Sequence, residues 1–151
     1  MSLGTINMSI VRFLKGNKFL PISEPNWNCF QLAFGQTFQK SQTYKQIKNE
    51  VGSANGLYAI EHRGVRFYLG KGNPLSSRIQ SHYREAYEQI KGDRTGDYHV
   101  AFSSLIGDSV KVYWQALEDE RVRTIVELML EYHMPRTTLD TIRECRHALH
   151  T

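Results

Sequence analysis

Gly56-Leu57-Tyr58-Ala59-Ile60-Glu61-His62-Arg63-Gly64-Val65-Arg66-Phe67-Tyr68-Leu69-Gly70 is the stretch that decides the fold. Residues 56–61 and 65–70 are both strand-like, rich in branched and aromatic side chains. A three-residue loop, His62-Arg63-Gly64, joins them and ends on the residue type that enters the left-handed region most freely. In this register Glu61 faces Val65, and counting back sets Tyr58 opposite Tyr68. Two tyrosines then share one face of a hairpin.

Working toward the C-terminus, Pro74 opens a helix to about residue 90, with Leu75, Ile79, Ala86 and Ile90 as its apolar stripe. Arg78 and His82 stand four apart, on one side of that helix, and border the stripe. Residues 92–107 hold turn formers and a short helix around 100–106. Residues 110–116 alternate and read as a third strand. Asp119 caps a helix through residue 133 that turns Val122, Ile125, Val126, Met129 and Leu130 inward. Pro135 ends it, and residues 138 to about 149 read as helical again.

Toward the N-terminus the signals thin out. Residues 21–28, with two prolines and two asparagines, read as loop. Ser41 caps a short helix with Tyr44, Ile47 and Val51 on one side and Lys45 and Lys48 on the other. The order β-β-α-β-α-α predicts an α+β domain, a small three-stranded antiparallel sheet flanked by helices. Residues 1–50 are then an N-terminal extension, and residues 51–151 the domain proper.

Composition narrows the class. A chain of 151 residues is one domain's worth, and 40% hydrophobic with 23% charged residues fits neither the disordered nor the membrane class. No apolar run approaches the ~20 residues that span a bilayer. No basic stretch followed by an apolar segment marks the N-terminus for secretion, and a cytoplasmic setting is expected. Two cysteines, Cys29 and Cys145, are too few for a disulfide scaffold, and neither sits in a zinc-type cluster. The net charge is +4, and residues 1–50 carry six basic and two acidic side chains, so the excess resides there. Lys40, Lys45 and Lys48 are therefore candidate contacts to a polyanion; the plainer reading is a solvated surface.

Gly56-Leu57-Tyr58, nine intervening residues, Tyr68-Leu69-Gly70-Lys71, and then Arg78 and His82 form a joint pattern. It resembles the GIY-YIG nuclease family, whose name describes the two tripeptides on adjacent strands. The resemblance covers roughly residues 55–140 and implies a metal-dependent DNA endonuclease. It implies Tyr58 as general base, Tyr68 positioning the nucleophilic water, and Arg78 on the phosphate. His82 would relay a proton or bind a neighbouring phosphate. A free phenol, with pKa near ~10, is a poor base at neutral pH, so Lys71 or a hydrated cation would have to favour the phenolate. The physical requirements of phosphodiester hydrolysis agree with this set: an oriented water, a proton acceptor and charge stabilisation at the phosphoryl oxygens.

The family also holds one divalent cation, Mg2+ or Mn2+, with a glutamate on the helix after the third strand. Glu127 stands at that place, with Glu131 as the reserve candidate. On the helical wheel Glu127 falls with Glu120, Arg123 and Glu131 on the polar face. The family's Asn after the following proline is missing. Pro135-Arg136-Thr137-Thr138 stands there, and no Asn follows Asn73. Two other classes stay open: a nucleic-acid-binding module on the same fold that has lost cleavage, and a small protein-interaction domain whose tyrosines only pack the sheet. The oligomeric state is not readable from the sequence.

Overall fold

The computed structural model describes residues 2–88, 96–134, 137, 138, 140 and 141. Through them run α1 (Leu3–Gly16), β1 (Asn28–Ala33), α2 (Lys40–Val51), β2 (Gly56–His62), β3 (Val65–Gly72), α3 (Leu75–Tyr87), α4 (Asp97–Ser103), β4 (Ser109–Ala116) and α5 (Glu120–His133). Ile90, Pro135, Cys145 and most of the helix expected over 138–149 lie outside the described residues. Among the described residues no helix is long and apolar enough to cross a membrane.

The sheet is antiparallel and the fold is α+β, as expected, but it has four strands rather than three, in the order β1-β4-β2-β3. The added strand, β1, pairs with β4 from Asn28↔Trp114 to Ala33↔Ser109. Its own alternation is short: Phe30 and Leu32 are buried while Asn28, Gln31 and Ala33 are exposed. The loop-forming prolines just upstream mask that signal. Two other elements of the first fifty residues also join the body of the molecule. Helix α1 packs against α5, and α2 packs against α3.

β2 is apolar from Leu57 to Ile60 and buried on both faces, so it lies inside the sheet with helices covering each side. Tyr58 and Ile60 enter a core with Phe30, Leu32, Val112, Ile47 of α2, Ile79 of α3 and Phe102 of α4. Leu57, Ala59 and Leu69 face the opposite core, with Leu14 of α1 and Val126 and Leu130 of α5. The period-two alternation of a strand makes this division.

The hairpin register differs from the sequence reading. The loop is two residues, Arg63 and Gly64, both at positive φ (53° and 77°), and His62 pairs with Val65. Such a turn matches the right-handed twist of its strands. Carried on unbroken, this register would pair Tyr58 with Leu69 and put the tyrosines on opposite faces. A bulge between Ile60 and Glu61 prevents it: Glu61 pairs with Arg66, yet Ile60 pairs with Tyr68. Phe67 is the extra residue, and Tyr58 then lies opposite Gly70. The tyrosines share a face as diagonal neighbours, not as a direct pair.

The helices need smaller corrections. α2 begins at Lys40 with Gln39 at its N-cap, so Ser41 is inside the helix. The short helix expected around 100–106 sits earlier, at α4. Asp119 does cap α5, its side chain accepting from the Val122 N–H at 3.0 Å. Val126 and Leu130 are buried and Met129 partly so, but Val122 and Ile125 are 41% and 52% exposed. Arg123 turns inward instead. It is 3% exposed, and its Nη1 donates to the carbonyls of Leu117 and Glu118 at 2.8 and 3.2 Å. Those carbonyls belong to the link between β4 and α5, and a buried guanidinium needs such acceptors.

Candidate active site

Neighbouring strands β2 and β3 and the helix that follows them bring Tyr58, Tyr68, Arg78 and His82 together. The Tyr58 hydroxyl hydrogen-bonds His82 Nε2 at 2.5 Å. The two tyrosine rings are 5.7 Å apart between centroids, and Tyr68 meets His82 edge-on at 4.8 Å. Arg78 Nη2 donates to the Tyr68 hydroxyl at 3.4 Å.

Depth within the cluster is uneven. Tyr58 is 0% exposed, and His82 is in the core rather than at its border. Tyr68 and Arg78 are half-buried, so the solvent-facing phenol is that of Tyr68. Burial, and then the neighbouring Tyr68, push the Tyr58 phenol well above its ordinary pKa, with Arg78 pulling the other way. Burial and the hydrogen bond with Tyr98 hold Tyr68 up at about 12. Burial opposes the charge on Arg78, but Tyr58 and Tyr68 outweigh it and raise its pKa. His82 is pushed down by burial, so its neutral form is favoured.

Gly70 explains how the tyrosines fit. A Cβ there would stand 2.7 Å from Tyr68 Cε1 and 2.8 Å from the Tyr58 hydroxyl. The Tyr58 ring lies directly over this glycine. Gly70→Ala should therefore push Tyr58 off His82 and destabilise the protein by about 1–3 kcal/mol, as overpacked cores do. Urea denaturation checks this, and an unchanged midpoint would contradict the packing described.

Two residues that the sequence reading missed complete the wall. Tyr98 of α4 has its hydroxyl 3.4 Å from that of Tyr68, and the Arg78 guanidinium lies 5.6 Å from its ring. Phe102, one turn on, stacks on the His82 ring at 4.5 Å and 12°. Both come from a helix distant in sequence from the hairpin.

Lys71 is not beside the tyrosines. It pairs with Leu57 across the ladder, which puts it on the other face of β3, and its Nζ donates to Thr124 Oγ1 of α5 at 2.9 Å. The role of favouring a phenolate at Tyr58 does not fit this placement. Glu127 is half-buried on α5, where Lys71 and Arg78 are close enough to act on its charge. Burial first, and Glu131 second, raise its pKa, while the two cations lower it. Among the described residues no group of three or more His, Cys, Asp or Glu could hold a metal. A single carboxylate still suits Mg2+, which keeps several waters and is commonly bound by one or two carboxylates and substrate phosphate. Glu127, with Glu131 one turn on, is where such an ion would find its carboxylate.

A shallow cavity of about 210 Å³ opens beside Arg78, lined by Lys71, Asn73, Ser77 and Ser81. Thr138, where the family has its Asn nearby, donates to the Arg66 carbonyl at 3.4 Å and so lies against β3. Lys40, Lys45 and Lys48 are exposed on α2, which packs against the helix that carries Arg78. No family model matches this chain, and neither curated proteins nor solved structures yield a match.

Proposed function

We propose that this protein is a GIY-YIG-type DNA endonuclease that hydrolyses phosphodiester bonds with a divalent cation, in a cytoplasmic setting. The observation that carries the reading is the convergence of Tyr58, Tyr68, Arg78 and His82 from two strands and a helix onto one cluster, whose Arg78 lines a small open cavity. Four motif residues need not meet if the tyrosines only pack the sheet.

In this reading the cavity takes the scissile phosphate, and the Arg78 guanidinium, held positive by the phenols, stabilises the charge that grows on its oxygens. Tyr68, bonded to Arg78, orients the attacking water. The water's proton passes to Tyr68 as Tyr68 gives its own to Tyr58 and Tyr58 gives its own to His82 Nε2, where the relay ends. The water oxygen forms the new bond to phosphorus, the bridging P–O bond breaks, and the leaving oxygen takes a proton from solvent. Mg2+ or Mn2+ held by Glu127 would neutralise charge on the phosphoryl and leaving oxygens when bound. Nicking of supercoiled plasmid in Mg2+, stopped by EDTA, is the test.

The zero exposure of Tyr58 favours a second reading, a DNA-binding module on this fold that does not cleave. Salt-sensitive DNA binding without nicking would select it. In both readings α2 contributes affinity rather than chemistry. Replacing Lys40, Lys45 and Lys48 with alanine should weaken binding to all DNA sequences alike. The log-log salt slope should become shallower by up to about 0.9 for each phosphate that is no longer neutralised. Unchanged affinity and slope in a salt titration would make these lysines a solvated surface only.

A further inference from the structure

Behind the tyrosines, α3 carries a carboxylate that the motif does not contain. Glu85 lies one turn beyond His82, and its Oε2 is 3.5 Å from His82 Nδ1. The His82 side chain is 1% exposed and that of Glu85 19%. Among the described residues neither Nδ1 nor Oε2 has a hydrogen-bond partner. Two buried polar atoms so placed need a closing movement of only a few tenths of an ångström to satisfy each other, and leaving both unpaired is costly.

We propose that Glu85 is a positioning residue that takes the Nδ1–H of His82 and fixes the imidazole in the tautomer whose Nε2 is bare. A neutral imidazole carries one proton, and a carboxylate can only accept. With the proton on Nδ1, Nε2 has no choice but to accept from Tyr58, which is the contact seen at 2.5 Å. The ring is held against rotation by Phe102, stacked at 4.5 Å, and by Tyr98, stacked at 5.7 Å and 23°. When the Tyr58 O–H bond breaks and the Nε2–H bond forms, the products are a tyrosinate and an imidazolium. Burial and Arg78 oppose a charge on His82, and Glu85 is the neighbour that supports it. A carboxylate, an imidazole and a hydroxyl thus stand in line, with the carboxylate setting the proton's place.

The catalytic half of this inference rests on the nuclease reading; the tautomer half does not. The experiment therefore has two readouts on the full chain. The first is the side-chain 15N spectrum of His82, assigned by comparison with His82→Gln. The second is single-turnover nicking of plasmid in Mg2+, with DNA affinity measured alongside. Wild type should show the Nδ1–H tautomer. Glu85→Ala should move His82 toward Nε2–H and slow nicking by about 10–100-fold, in line with losses of supporting carboxylates elsewhere, with affinity unchanged. Glu85→Gln keeps an acceptor without the charge, so it should keep the tautomer and slow nicking less; it also serves should the alanine variant fold poorly. An Nε2–H tautomer in wild type overturns the inference, and so do variants that change neither tautomer nor rate. A wild type that shows the Nδ1–H tautomer, loses it in Glu85→Ala and never nicks DNA supports the positioning role and overturns the nuclease reading.

Discussion

Arg78→Ala should reduce single-turnover cleavage by about 10³-fold or more, the scale on which a transition-state arginine acts in phosphoryl transfer, while DNA affinity changes little. The reason lies in where the guanidinium stands. It reaches the Tyr68 hydroxyl at 3.4 Å, borders the small cavity, and is half-buried, so its charge acts in a medium less screening than water. Burial alone would oppose that charge, yet the phenols of Tyr58 and Tyr68 hold the group protonated. A phosphate in the cavity gains most from Arg78 when its oxygens carry extra charge, which is at the transition state and not in the ground state. Arg78→Lys should recover little, because a point charge does not reproduce the planar fork. An Arg78→Ala protein with near wild-type turnover would remove the residue from the chemistry.

Tyr58→Phe should show two effects at once. Cleavage should fall by about 10²–10⁴-fold, the usual cost of losing a general acid or base. Stability should also fall, by about 1–3 kcal/mol, because the His82 Nε2 that faced the hydroxyl is left buried and unsatisfied. Tyr68→Phe is the contrast. The Tyr68 hydroxyl is half-buried and its polar contacts are long, 3.4 Å to Arg78 and 3.4 Å to Tyr98, so its removal should cost activity with a smaller penalty in folding. Urea denaturation and single-turnover nicking of both variants measure the two effects separately. Equal stability of wild type and Tyr58→Phe would mean that the hydrogen bond to His82 contributes nothing.

Much of this arrangement is legible in the residues, for reasons that differ by element. The branched and aromatic runs of β2 and β3, the alternation in β4 and the Asp119 cap of α5 are local signals, and local physics carries them into the structure. A three-residue loop puts Tyr58 and Tyr68 on a shared face. The structure reaches the same parity by a two-residue turn and a bulge at Phe67. A bulge depends on what the strand packs against, so the hairpin sequence alone does not announce it. Strand β1 escapes a reading of the residues because six positions next to a proline-rich loop give little periodicity. Lys71 is a different case, since its sequence position already decides its side: three residues beyond Tyr68 on one strand is the opposite face. Arg123 and Tyr98 are not decided locally, because their positions answer to carbonyls and rings supplied by other elements. Glu85 is visible as an i+3 neighbour of His82 on the helix, but such a spacing has meaning only once His82 is known to be buried.

In the proposed reading the buried pair of Tyr58 and His82, opening through Tyr68 onto Arg78, serves phosphodiester hydrolysis. Single-turnover nicking of supercoiled plasmid by the wild-type protein, run in Mg2+ and in EDTA beside Arg78→Ala, tests it most directly. Conversion to open circles is expected in Mg2+ alone, with the variant bound to DNA but almost inactive. A wild-type protein that binds plasmid and never nicks it, or nicking that Arg78→Ala leaves intact, would overturn the nuclease reading.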